Sequence, residues 1–279
     1  DAVFADAWMK RIDGWDAREA YRIARRNAFE VPPSGAPYGR VGLDHYLELG
    51  YVPEEIHHGA SRTLDFAYGD FCLAQMADAF APDDSAVLRE RAGWWRNIFD
   101  SETGFLRGRR ADGGFSPGFD PWRWGGPYVE GGAWQCGLAV YHEPLELGRL
   151  LAGGADRDDR TARAALELHL DALVNADPRF DSGAYPGEIH EMSEVAAVDF
   201  GQYAHSNQPS HHIPVLYTLT DHPWKADHIV RSVLEQLYDS SPRGFCGDED
   251  NGEMSSWYLL AAMGLYQICP GRPEYSLTG

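Results

Sequence analysis

SRTLDFAYGDFCLAQMADA, Ser61 to Ala79, is the stretch on which the fold class turns. Leu64, Ala67, Tyr68, Phe71, Cys72, Gln75, Met76 and Ala79 recur at steps of three and four. Side chains at that spacing share one face of a helix, whereas a strand alternates every second residue. Ser61 offers an N-cap oxygen to the unpaired N–H groups of the first turn. The same period predicts helices over 85–98, 157–174, 224–238 and 254–266. No segment alternates convincingly, so the expected class is all-α.

Helices alternate with loops of two kinds. Some loops are short and charged. Others are long and rich in Gly, Pro and aromatics: 104–133, 180–192, 200–212 and 242–253. This fits an α/α toroid of paired inner and outer helices with the long loops gathered at one end. A superhelical solenoid is the rival, disfavoured by the lack of a fixed repeat. No linker or low-complexity tract interrupts the 279 residues, so one domain is expected.

Composition narrows the partners. A net charge of −19 argues against nucleic acid, which is held by basic patches. No apolar run approaches the length of a membrane span. Cys72, Cys136, Cys246 and Cys269 form no CxxC pair, which disfavours a structural zinc, and they leave three disulfide pairings open. Hydrophobic residues at 44% supply a sizeable core.

Four segments carry chemistry: RTLDFAYGDF (62–71), PYVEGGAWQ (127–135), GQYAHSNQPSHH (201–212) and GFCGDEDNGEMSSWY (244–258). The last holds Asp248, Glu249, Asp250 and Glu253 around Asn251 and Gly252. Oxygen donors so dense suit a hard cation, although the EF-hand spacing is absent. A solvated acidic turn at a helix N-terminus explains the same residues. His205, His211 and His212 lack the HExxH pattern, and hydrogen-bonded core histidines are the simpler account. Glu130 and Trp134, flanking two glycines, place a carboxylate beside a ring, as a sugar site does; an ordinary glycine turn opening a helix is the alternative.

Taken together, GYVPEE, SRTLDFAYGDF, SETGFLRGR, YVEGGAWQ, GQYAHSNQPSHH, HPWKADHIVR and GFCGDEDNGEMSSWYLLAAMGLYQICPG resemble glycoside hydrolase family 92. These are bacterial, calcium-dependent, inverting exo-α-mannosidases. The resemblance runs in order along almost the whole chain. It implies an (α/α)6 toroid over 1–279, flanked in the longer protein by an N-terminal β-sandwich and a C-terminal β-rich segment. It implies Ca2+, held by Asn207, Glu253 and loop carbonyls. Sugar contacts would come from Glu130, Trp134, Gln135, Asn207, His205 and His211. Asp248 and Asp250 match the family's paired aspartates that act as catalytic base, a base beyond Gly279 being the alternative. A mannosylated or phosphomannosylated glycan outside the cell implies a secreted or periplasmic enzyme.

One position departs from the pattern. The family resemblance places a glutamate, the general acid, where this chain has Gln208. An amide neither gives nor takes a proton. An alkoxide leaving group is about as basic as hydroxide and needs that proton, whereas a phosphate monoester, with a second pKa of about 6, leaves as an anion. The expectation is therefore hydrolysis of α-mannosyl-1-phospho-6-mannose caps on yeast-type N-glycans, with Gln208, Asp248 and Asp250 at the reacting centre. The alternatives are an ordinary exo-α-mannosidase using another acid such as Glu130, and a non-catalytic mannan-binding protein.

Overall fold

The computed structural model describes residues 1–278. Eleven α-helices carry the described residues. The first five are α1 (Ala2–Met9), α2 (Ala17–Phe29), α3 (Leu43–Leu49), α4 (Gly59–Phe80) and α5 (Pro82–Ala92). Then follow α6 (Ala133–Cys136), α7 (Pro144–Leu151), α8 (Asp159–Val174), α9 (His190–Ala197), α10 (Trp224–Gln236) and α11 (Glu253–Ala262). The described strands are four pieces of two residues. β1 (Phe99–Asp100) pairs antiparallel with β2 (Phe105–Leu106), and β3 (Leu265–Tyr266) with β4 (Ser276–Leu277). The architecture is mostly helical, as the periodicity predicts.

Local chemistry explains several helix starts. Asp16 accepts from the Glu19 amide at 2.9 Å to cap α2, and Asp158 accepts from the Thr161 amide at 2.8 Å to cap α8. Pro82 and Pro144 open α5 and α7, where a missing N–H costs nothing. Helices α4 and α5 pack together, as do α7 and α8. The main core threads Leu64, Trp95, Leu166, Tyr203, Tyr217 and Trp257, and a second cluster lies among α2, α4 and α5.

Three boundaries differ from the periodicity. Ser61 does not cap α4. That helix starts at Gly59, and its first amides are satisfied from outside: Ala60 and Ser61 donate to the Pro127 carbonyl at 3.0 and 3.2 Å. Backbone carbonyls of the 104–133 loop thus replace a capping side chain, and the Ser61 hydroxyl is freed to accept from the Val129 amide at 3.1 Å. The helix expected over 85–98 stops at Ala92 beside Gly93, and Trp94–Ile98 continues as a 3-10 turn. The helix expected to reach residue 266 ends at Ala262, and Gly264 turns the chain at φ 72° into β3. All four cysteines are free thiols.

Candidate functional site

The loop after α9 is pinned at its start. Gly201 has φ 61°, and a Cβ there would sit 2.3 Å from the Leu173 carbonyl and 2.6 Å from that of Val174. The Gln202 amide donates to the same Leu173 carbonyl at 2.9 Å. Backbone cannot yield as a flexible side chain can. Gly201→Ala is therefore expected to destabilise the fold by roughly 1–3 kcal/mol, read as a lower urea midpoint.

From that anchor the loop runs through the interior. His205 bonds the Tyr203 hydroxyl through Nδ1 at 2.6 Å and the Tyr238 hydroxyl through Nε2 at 2.7 Å. His211 Nε2 donates to the His205 carbonyl at 3.0 Å, and the two rings stack at 4.7 Å. His212 Nε2 donates to the Leu138 carbonyl at 2.8 Å. All three imidazoles are buried and support the loop from beneath.

Burial pushes His212 down to about 4. Its unfolded value is about 6.5, so the unfolded chain takes up the proton first. Stability is then expected to fall as pH drops from about 6.5 towards 4, by at most roughly 3 kcal/mol from this group. Urea titrations across that window measure it. In His212→Gln the proton uptake on unfolding should fall by up to about one.

The amides of the loop follow, Asn207 buried and Gln208 half-buried. Asn207 Nδ2 donates to the Glu130 carbonyl at 2.6 Å, which ties this loop to the 127–135 segment. Glu130 also donates its amide to the Tyr185 hydroxyl at 2.9 Å and holds φ 45°. Its carboxylate is exposed, with no hydrogen bond or ion pair among the described residues. Gln208 opens a 3-10 turn, and its Nε2 donates to Asp250 Oδ2 at 2.5 Å. Asp250 and Asn251 have φ 52° and 58°. Non-glycine residues in the left-handed region are strained, and Glu130, Asp250 and Asn251 all converge on this one site.

The acidic turn sits at the start of α11. Glu249 caps α11, accepting from the Gly252 amide at 2.6 Å and the Ser255 amide at 3.2 Å. Its neighbours stay open. Asp248 is exposed and lies 3.9 Å from His190 of α9. Although partial burial opposes it, the hydrogen bond to Glu194 and the charges of Glu191, Glu194 and Asp248 hold His190 above its ordinary value. Glu253 lies 3.5 Å from His211 Nδ1, and that contact holds its carboxyl below the usual range.

The structure therefore brings Gln208, Asp250, Asn207, Glu130, His211 and Glu253 together, with Asp248 at the rim facing α9. Trp134 and Gln135 make other contacts. Trp134 packs edge-on to Phe105 at 4.8 Å in the main core. Gln135 accepts from the Gly132 amide at 2.9 Å and donates to the Gln202 carbonyl at 2.8 Å. Tyr185, Tyr238 and His190 are supports that the sequence did not single out. They come from separate helices and loops, and nothing in their local sequence marks the encounter.

A calcium ion would need oxygen donors here. Among the described residues no group of three or more His, Cys, Asp or Glu is placed to hold a metal. The Asn207 amide oxygen accepts no hydrogen bond among those residues, and the Glu253 carboxylate is half exposed. Both are hard donors, and calcium completes its shell with carbonyls and water. The residues fit that chemistry.

The family model of the glycosyl hydrolase family 92 catalytic domain matches residues 1–279. A GH92 inverting mannosidase from Bacteroides thetaiotaomicron is similar at a TM-score of 0.82 and 37% identity, over 99% of this chain and 36% of that one. A GH92 α-mannosidase from the same organism, in complex with mannoimidazole, gives 0.82 at 26% identity, over 99% of this chain and 34% of that one. An uncharacterized secreted glycosidase from Arthroderma benhamiae is 24% identical over 304 residues, 99% of this chain and 36% of that protein. The chain spans about a third of the length of these relatives. With the family model matched from the first residue to the last, this chain belongs to glycosyl hydrolase family 92.

Proposed function

We propose that this chain carries the reacting face of an inverting α-mannosidase whose leaving group is an anionic phosphate. The fold assigned is the (α/α)6 toroid, one domain over 1–279, acting outside the cytoplasm on phosphomannosylated glycans. The mannoside class comes from the relatives, which are mannosidases by name. The leaving group rests on one observation: the Gln208 amide, not a carboxylic acid, meets Asp250.

Inversion requires a carboxylate that takes a proton from water on the face opposite the leaving group. Asp250 suits that role. Gln208 Nε2 donates to it at 2.5 Å, whereas the two groups of an inverting pair stand roughly 6.5–9.5 Å apart, so the sugar must enter between them and part this contact. A glutamate at 208 would press two carboxylates together, and they would share a proton. The second N–H of Gln208 is open to a phosphate oxygen, which a carboxylate would repel. Asn207 and Glu253 would hold calcium, which when bound supplies Lewis acidity towards the sugar hydroxyls.

A second reading has its own observation. Glu130 is held through its backbone, strained at φ 45°, with an unpaired carboxylate. If it protonates the leaving oxygen, the substrate is an ordinary α-mannoside. The complete protein assayed on mannose-α-1-phospho-6-mannose and on α-mannobiose separates the two. Cleavage of the phosphodiester alone, abolished by a calcium chelator, with mannobiose left intact by wild type and Glu130→Gln alike, is expected. Mannobiose cleavage that falls by roughly 10²–10⁴-fold in Glu130→Gln makes Glu130 the acid and removes the phosphate assignment.

A further inference from the structure

The segment RTLDFAYGDF contains a group that nothing above uses. Between Ser61 and Ala77, α4 is buried or half-buried at every position except Asp65, which is exposed. Its neighbours on the same helix face show which space it meets. Ser61, one turn earlier, bonds the Val129 amide beside Glu130. Tyr68, one turn later, packs at 5.0 Å on Tyr141, whose ring lies 4.6 Å from His212. Residues at i−4 and i+3 flank a helical side chain on its own face. Asp65 therefore opens between the Glu130 loop and Tyr141, on the side of α4 that faces the Glu130 edge of the candidate site.

Desolvation pushes the Asp65 carboxyl up to about 6, against the lowering effect of Arg62 and Arg40. Its charge reaches Cys136 and Tyr141 in turn. Yet Asp65 makes no hydrogen bond or ion pair among the described residues. Asp70, five residues on, shows how this helix treats a structural acid: Arg40 and Arg91 hold its two oxygens at 2.6 and 2.7 Å. A carboxylate flanked by buried neighbours and left without a partner carries a desolvation cost that a ligand donor relieves.

We propose that Asp65 binds substrate, accepting a hydroxyl of the sugar ring at the floor of the site and setting which sugar is held. This rests on the glycosidase reading of the site. A negative charge suits ring hydroxyls and disfavours phosphate, so Asp65 belongs to the sugar side of the scissile bond.

The test is calorimetric titration of the complete protein, wild type, Asp65→Ala and Asp65→Asn, with methyl α-mannoside and its single-deoxy analogues. Methyl α-glucoside and methyl α-galactoside complete the panel. Asp65→Ala is expected to weaken the parent sugar by roughly 10- to 150-fold with unchanged melting temperature, as for a hydrogen bond to a charged group. One deoxy analogue should bind wild type and Asp65→Ala equally. Asp65→Asn keeps the size and one acceptor, and should fall between them. Equal binding of the parent sugar by all three proteins overturns the proposal. So does a uniform loss over every analogue with a lowered melting temperature, which marks a structural role. If wild type binds a non-mannose sugar only, the mannosidase reading fails while Asp65 is judged on that sugar. A wild type that binds none of the panel overturns both.

Discussion

Replacing Asp250 with Asn in the complete protein is expected to lower kcat/KM on its α-mannosyl substrate by roughly 10²–10⁴-fold, the usual worth of a general base. The melting temperature should hold to about a degree, as for surface changes away from the core. Asp250 is exposed and outside every core cluster, so little packing is lost. Its backbone sits at φ 52°, a region that Asn tolerates better than most residues. The Asn oxygen can still accept from Gln208. The variant therefore removes basicity and charge while sparing the scaffold. Asp248→Asn is the internal control, because Asp248 faces His190 across 3.9 Å and has no contact with Gln208. Full activity in Asp250→Asn with a collapse in Asp248→Asn would transfer the base to Asp248. Full activity in both would remove the pair from the mechanism.

The helices were legible because burial on one face imposes a period on the sequence, and α8 and α10 carry it plainly, whereas α4 is buried nearly all round. Their ends were less so. The start of α4 depends on Pro127, more than sixty residues away, whose carbonyl does what a local cap would do. The site divided in the same way. Gln208, Asn207 and the acidic turn stand out because amides and carboxylates are dense there. Their pairing was not readable: Gln208 meets Asp250 across 42 residues, and Asn207 meets the Glu130 backbone across 77. Asp65 was hidden for the opposite reason. It lies inside a periodic helix with Arg62 three residues before it, and reads as an ordinary surface charge. The burial of its neighbours sets it apart, the one exposed position between Ser61 and Ala77 of α4.

Asp70→Ala is expected to cost about 3–5 kcal/mol of stability, the range for breaking a buried ion pair from one side. Asp70 is fully buried, and so is Arg91; Arg40 is nearly so. Arg40 Nη1 and Arg91 Nε each hold one carboxylate oxygen, and the Tyr46 hydroxyl approaches at 3.5 Å. Removing the carboxylate leaves two guanidinium charges inside the fold. Arg40 keeps Asp1 at 3.0 Å, and Arg91 keeps the Ala28 carbonyl at 2.8 Å, but no second buried acid lies between them. Each bond also joins elements distant in sequence, Arg40 from the loop before α3 and Arg91 from the end of α5, onto α4. Loss of the shared anchor should loosen the α2, α4 and α5 cluster as a unit. A melting temperature lower by on the order of 10 °C is the expected reading for a chain of this size. An unchanged value would mean the charges find water, and the cluster is not closed. Asp65→Ala, five residues away on the same helix, should show the reverse pattern of intact stability and impaired sugar binding, because one aspartate has its partners within the fold and the other has none.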